Sequence, residues 1–405
     1  MSMDEAARGV GLAAAFQPIV ALDNERVVGY EALARWPKLG VGPQEVFTHS
    51  RTIGTSERLD ARCIEVAAER ALRLAWPQDT VLSLNCEPAS RPEAFTSAHP
   101  LSRAKERFSV MFEITERGLL DHPRALLGKV EALRDQGFLI ALDDVGISPD
   151  SSALLDIIAP DVIKLDLTLA QSQPDYRQAQ TLSSVIAHHE RTGAMILAEG
   201  IETDAHLEQA LALGADLGQG YLFGRPGEDE HRSSGGSWNL ERPTPRLDAA
   251  ITSPFSLIEN HHRVRTARKA TVVALSQHIE MQASRAADPP IMLTALQRSE
   301  FLTPGTFRRY VELAAQSPLV AIFGLQVPPG LDAGIRGVPL ADDDPLCDEW
   351  TVVALGPHTA AALIARENRQ TELDAGDDAR RFDFVITYDR DLVTAAARSL
   401  LSRVA

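Results

Sequence analysis

Residues Phe108–Asp144 read FSVMFEITERGLLDHPRALLGKVEALRDQGFLIALDD, and they set the architecture. Phe108–Thr115 and Phe138–Asp143 are short, mainly apolar runs of strand length. Between them Pro123–Gln136 carries the spacing of an amphipathic helix. A strand, a helix and a strand in that order make a unit whose two strands run parallel. The same alternation extends outward on both sides. Further strands are expected at Phe16–Leu22, Val27–Arg35, Thr80–Cys86, Val162–Asp166, Met195–Glu199 and, more weakly, Leu217–Gly220. Helices are expected at Thr55–Trp76, Tyr176–Thr192 and Asp204–Leu213. About eight strands in roughly 200 residues suit a closed, TIM-like (β/α)8 barrel better than an open sheet.

The pattern stops at Gly227–Leu247, GEDEHRSSGGSWNLERPTPRL, a stretch rich in Gly, Ser, Pro and charge that reads as a linker. It then resumes. A long helix is expected over Phe255–Ala286, strands at Pro290–Leu296, Val320–Val327, Glu349–Leu355 and Phe382–Tyr388, and helices at Pro357–Glu367 and Asp391–Val404. Thr303-Pro304 opens another helix with a hydroxyl cap followed by proline. The expected division is a barrel at 1–226, a linker at 227–249 and a smaller α/β domain at 250–405.

Composition narrows the function. The net charge of −16 leaves no excess of Lys and Arg to displace counterions, so duplex nucleic acid is not an expected partner. Cys63, Cys86 and Cys347 are scattered without CxxC spacing, which fits a reducing cytoplasm and no disulfide framework. No stretch has the length and apolarity of a membrane span, and the expected location is cytoplasmic.

The polar residues at the ends of the apolar strands carry the chemistry. Glu31, Asn85, Glu113 with Glu116, Asp143 with Asp144, Lys164 with Asp166, Glu199 with Glu202, and Gln219 all stand at or just past strand ends. Any one of these could be a helix cap or a surface residue: Asp143-Asp144 could cap the next helix, and Lys164 could snorkel to solvent. Together they converge on one rim of a barrel. Carboxylates packed that closely repel unless cations neutralise them. Oxygen donors without His or Cys suit Mg²⁺ or Mn²⁺, and adjacent aspartates can serve two ions, the usual device for phosphoester displacement. Glu199 is suited to act as a base, with Lys164 orienting water or stabilising charge on phosphorus.

Tyr30-Glu31-Ala32-Leu33-Ala34-Arg35-Trp36, with QPI at 17–19, SLNCEP at 83–88, FEITERG at 112–118, LDDVG at 142–146, IKLD at 163–166, AEGIET at 198–203 and GQGYLFGRP at 218–226, resembles the EAL family of phosphodiesterases, motif by motif and in order. The resemblance covers nearly all of residues 14–226. It implies a barrel with an antiparallel first strand that hydrolyses cyclic di-GMP to linear pGpG. It implies two Mg²⁺ or Mn²⁺ ions, with Glu31, Asn85, Glu113 and Asp143 around the first and Asp143 and Asp144 serving the second. Lys164 and Glu199 match the water-activating pair. Glu116 and Glu202 match residues that support the loop beside the metals, and with Gln219 they complete the catalytic group. Gln17, Arg35 and Asp166 are the expected nucleotide contacts. One departure stands out: the loop after the aspartate pair reads DDVGISPDSS where active members usually read DDFGTGYSS. That loop bears on the second metal and on the homodimer expected from the resemblance. Leu293–Gln316 and Phe382–Val393 resemble the DICT sensory domain, which implies a regulatory input with an unidentified ligand. The rival expectation is a cyclic di-GMP receptor without turnover that signals through this second domain.

Overall fold

The computed structural model describes residues 1–87, 99–115, 120–146, 151–227, 253–259, 264–331, 334–368 and 380–404. They form two compact units, the second of which also takes in residues 120–127 and 152–158. Among the described residues no helix is long and apolar enough to cross a membrane.

The first unit is a closed eight-stranded barrel of β1 (Ala13–Ala21), β2 (Arg26–Arg35), β3 (Val81–Cys86), β4 (Ser109–Thr115), β5 (Leu139–Val145), β6 (Val162–Leu165), β7 (Met195–Ala198) and β8 (Leu217–Gly218). β1 runs antiparallel to both of its neighbours, and the remaining pairs are parallel. The physical reason is the connection. Residues 22–25 between β1 and β2 are enough for a hairpin and too few for a crossover, whereas later strands are joined through helices.

Strand periodicity fills the barrel. Ile19, Val28, Val81, Met111, Leu139, Ala141, Val162, Leu197 and Leu217 pack into one buried apolar cluster. Two residues further along the same strand faces, toward the C-terminal ends of the parallel strands, come Ser83, Glu113, Asp143, Lys164, Glu199 and Gln219. An apolar plug therefore passes into a polar layer. Outside the wall, Trp76 stacks on Tyr30 with centroids 4.2 Å apart and meets Phe16 and Phe108 edge-on at 4.8 and 5.8 Å.

The second unit is a seven-stranded sheet: β9 (Arg265–Arg268), β10 (Ile291–Arg298), β11 (Val320–Leu325), β12 (Ile335–Pro339), β13 (Glu349–Gly356), β14 (Thr359–Glu367) and β15 (Arg381–Thr387), in the order β12-β11-β10-β13-β14-β15-β9. Val272, Ile279 and Ala283 of the helix Lys269–Ser284 and Tyr310 and Leu313 of the helix Pro304–Ala314 pack with Met292, Ile322, Val352 and Leu363 of the sheet. The helix Arg390–Leu401 packs on β13 and β14.

Two expectations fail in this unit. Pro357–Glu367 is not a helix. Thr359–Glu367 is a strand paired antiparallel with β13 through nearly its whole length and with β15 beyond Ala361. Its alanines favour helix locally, but a tight turn after Gly356 and burial between two strands override that preference. The single long helix at Phe255–Ala286 is also absent. A short helix, Pro254–Ile258, is followed by β9, which pairs with β15 at the sheet edge, and only then by Lys269–Ser284. β12 carried no expectation. The expected linker falls outside the described residues except for Gly227, which bridges to Phe16.

Trp76→Ala is expected to destabilise the barrel by about 3–5 kcal/mol, the usual cost of emptying a large buried aromatic site. The check is a lowered urea midpoint at unchanged m-value.

Candidate active site

The polar layer is organised around one buried ammonium. Lys164, from β6, is 1% exposed in its side chain. Its Nζ lies 2.7 Å from Glu199 Oε1, 2.8 Å from Glu113 Oε2, 2.9 Å from Asp143 Oδ1 and 4.0 Å from Glu31 Oε2. Outer partners hold these carboxylates. Ser83 Oγ donates to Glu113 Oε1 at 2.6 Å, and Asn85 Nδ2 donates to Glu31 Oε1 at 2.9 Å. Gln219 Nε2 donates to Glu31 Oε2 at 2.6 Å and to Gln17 Oε1 at 3.3 Å. Gln17, Glu31, Asn85, Glu113, Asp143, Lys164, Glu199 and Gln219 are thus brought together. Ser83 is the member that sequence reasoning passed over. Its signal was available, two residues before Asn85 on the same strand face.

The charges do not balance locally. Burial alone would lower the pKa of Lys164, but Asp143, Glu113, Glu199 and Glu31 hold it well above the ordinary lysine value. The carboxylates respond in the opposite sense. Burial raises Glu113 well above its ordinary value, Glu31 and Asp143 add to this, and Lys164 opposes it. Glu199 is pushed up to about 8, first by burial and then by Asp143 and Glu31, again against Lys164. One ammonium does not neutralise this many carboxylates.

Asp143 and Asp144 are adjacent, and in a regular strand they would face opposite ways. The pairing of β5 with β6 slips between Leu142 and Val145, and Asp144 has φ +60°. This bulge turns the backbone so that both aspartates line one cavity of 930 Å³, together with Arg35, Asn85, Glu87 and Thr115. A non-glycine residue in the left-handed region is uncommon and concentrates at functional sites. Arg35 also donates through Nη1 to the Ala34 carbonyl at 2.9 Å.

Other expected residues are placed elsewhere. Asp166 caps the helix Leu167–Gln171, its Oδ1 accepting from Thr168 N at 2.9 Å and from the Thr168 hydroxyl at 2.5 Å. Glu202 is exposed, and its backbone N–H donates to His206 Nδ1. Glu116 lies outside the described residues, as do residues 147–150 of the unusual loop. In the part of that loop that is described, Val145 is fully buried, and Gly146, at φ +115°, has Leu169 where a Cβ would go.

Residues 2–226 match the family model of the EAL domain. The chain belongs to the EAL family. Residues 256–368 match a second family, the DICT sensory domain in diguanylate cyclases and two-component systems. The cyclic di-GMP phosphodiesterase RocR of Pseudomonas aeruginosa is 35% identical over 228 residues, which span 53% of this chain and 57% of RocR. The cyclic di-GMP phosphodiesterase NbdA of the same organism is 29% identical over 52% of this chain and 28% of NbdA. Little more than half of RocR, and less of NbdA, is thus matched. A Klebsiella pneumoniae BlrP1 structure, a calcium/cy-diGMP complex at pH 8.0, is 29% identical, covers 54% of this chain and 57% of its own, and has a TM-score of 0.48.

In this EAL domain no three His, Cys, Asp or Glu side chains among the described residues are gathered as a metal-coordination sphere, because the carboxylates turn onto Lys164. The donor set nonetheless fits hard divalent cations. It is all oxygen, it has an uncompensated negative charge, and Gln219 Oε1 is buried without a hydrogen-bond partner among the described residues.

In divalent-free buffer, Glu199 carries a proton in the folded state up to about pH 8, whereas the unfolded carboxyl releases it near 4.5. The folded protein binds the extra proton between those values, so stability falls as pH rises through that window. Glu199→Gln is expected to flatten this slope in urea titrations between pH 5 and 8. Lys164→Met is expected to destabilise the protein by about 3–5 kcal/mol near pH 8, because it removes the partner that these buried charges share, and by less near pH 5.

Proposed function

We propose that the EAL domain hydrolyses cyclic di-GMP to linear pGpG with two Mg²⁺ or Mn²⁺ ions, Glu31, Asn85, Glu113 and Asp143 holding one and Asp143 and Asp144 serving the other. The single observation that carries this reading is the bulged Asp143–Asp144 pair beside the Lys164-centred carboxylates, opening into a cavity of 930 Å³ that also exposes Arg35. The volume suits a ligand of nucleotide size. When bound, the cations neutralise phosphate charge and raise the acidity of water.

The chain's own residues supply the rest. Glu199, at the open edge of the cluster with a side chain 22% exposed, takes the proton from the attacking water. Cations bound beside Glu199 would favour its ionised form, the one that accepts a proton, and Lys164 beside it steadies the negative charge gathering on phosphorus. The water oxygen bonds to phosphorus, the ester bond to the ribose oxygen breaks, that oxygen takes up a proton from solvent to become a hydroxyl, and the ring opens. Arg35 pairs with a phosphate, and Gln17 and Gln219 define the edge of the nucleotide site. The C-terminal unit acts as a regulatory input on this reaction. The runner-up reading, a receptor without turnover, draws on the loop DDVGISPDSS, where Val145 is buried in place of the usual aromatic.

Incubation with cyclic di-GMP and Mg²⁺ or Mn²⁺, followed by chromatography, is expected to yield pGpG. Glu199→Gln should lower kcat by about 10²- to 10⁴-fold, and Glu31→Ala should abolish turnover. Ca²⁺ should support binding with little hydrolysis, since its longer, looser coordination positions water poorly. A wild-type protein that binds the nucleotide but makes no more pGpG than Glu199→Gln would establish the receptor reading instead.

A further inference from the structure

The end of β3 is held by a clamp that the proposed chemistry does not use directly. β3 pairs with β2 only as far as Ala32–Leu84. On its other side it continues along β4 through Asn85–Glu113 and Cys86–Ile114. Asn85 therefore stands on a strand end that has lost half of its ladder, and it is exposed toward the cavity. A side-chain amide can present its oxygen or its nitrogen toward Glu31 only if the backbone beneath it is fixed.

Side chains from three helices converge on Cys86 and Glu87, just beyond it. Asp60, in the helix Ser56–Arg73, is 3% exposed. Its Oδ1 accepts from Glu87 N at 3.2 Å, and its Oδ2 accepts from Cys86 Sγ at 3.7 Å. Lys129, in the helix Pro123–Asp135 and also 3% exposed, donates through Nζ to the Glu87 carbonyl. Arg51 closes the outer side on Glu87 Oε1 at 2.8 Å, but its side chain is 58% exposed, so that ion pair contributes little. Asp60 and Lys129 grip both backbone groups of one residue from buried positions.

A buried carboxylate and a buried ammonium are expensive where apolar side chains would pack at lower cost. What they hold explains their presence. We propose that Asp60, assisted by Lys129, is a positioning residue that fixes the Cys86–Glu87 backbone so that Asn85 faces Glu31 and the metal-binding oxygens. The clamp takes its functional meaning from the proposed metal-dependent reaction and rests on that reading.

Two readouts test it. In full-length protein with selectively ¹⁵N-labelled asparagine, the side-chain amide signals of Asn85, assigned with Asn85→Ser, are expected to move in Asp60→Ala and to stay near wild type in Asp60→Asn, which keeps an acceptor for Glu87 N–H. Mn²⁺ affinity without nucleotide, followed by the electron paramagnetic resonance of free Mn²⁺, is expected to weaken by about 10- to 100-fold in Asp60→Ala, the usual range for a residue supporting a ligand, and to recover in Asp60→Asn. Lys129→Gln serves as the second variant should Asp60→Ala not fold. Folding is monitored by far-UV circular dichroism in every variant. Unmoved Asn85 signals in a folded Asp60→Ala or Lys129→Gln protein would overturn the proposal, as would unchanged Mn²⁺ affinity. A wild-type protein that binds no Mn²⁺ would sink the metal reading itself, while the amide signals would still decide whether Asp60 positions Asn85.

Discussion

The barrel depends on an ammonium buried among carboxylates. Lys164 is surrounded at hydrogen-bond distance by Glu113, Asp143 and Glu199, with Glu31 slightly further out. The four come from four different strands, so the lysine ties together β2, β4, β5 and the end of β7. An ion cluster of this kind is a poor way to gain stability, because desolvation consumes most of the attraction. Its retention at the head of an otherwise apolar interior is a mark of chemistry. The excess negative charge asks for protons or cations, and the raised pKa values of Glu113 and Glu199 show what the cluster does when only protons are available.

The second constraint is local backbone geometry. Without the slip between β5 and β6 and the left-handed Asp144, one of the two aspartates would point away from the cavity. With it, both carboxylates line the same space as Arg35 and Asn85. The strain is a small cost, of about 1–3 kcal/mol by the usual scale for such residues, against the burial of a whole barrel. The same economy applies at the end of β3, where helix side chains replace ladder hydrogen bonds that β2 no longer supplies.

The C-terminal unit shows where local reading misleads. Thr359–Glu367, TAAALIARE, has the composition of a helix, yet it is the middle strand of a five-strand antiparallel run, β10-β13-β14-β15-β9. Arg265–Arg268 looks like part of a long helix and instead forms an edge strand through pairing with residues 381–384. In each case the deciding partner lies elsewhere in the chain, and a nine- or four-residue preference cannot compete with sheet pairing. The paired strands β10, β13 and β15 were legible because their β-branched and aromatic runs agree with their environment.

What the sequence determined by itself was the βα rhythm and the chemical type of each strand end. Period-two alternation carries Leu139, Ala141 and Asp143, or Val162 and Lys164, onto one face, so an apolar plug followed by a polar layer was already implied once the strands were recognised. Glu31, Asn85, Glu113, Lys164, Glu199 and Gln219 could all be named on that basis. Only the tertiary structure supplied the contacts of the remaining candidates. Asp166 caps a helix, Glu202 is exposed, and Asp144 turns inward at a bulge. Asp60 and Lys129 were invisible in the sequence, because a charged residue within an amphipathic helix looks like part of its solvated face. Their importance arises from burial against a strand end that no local pattern places beside them.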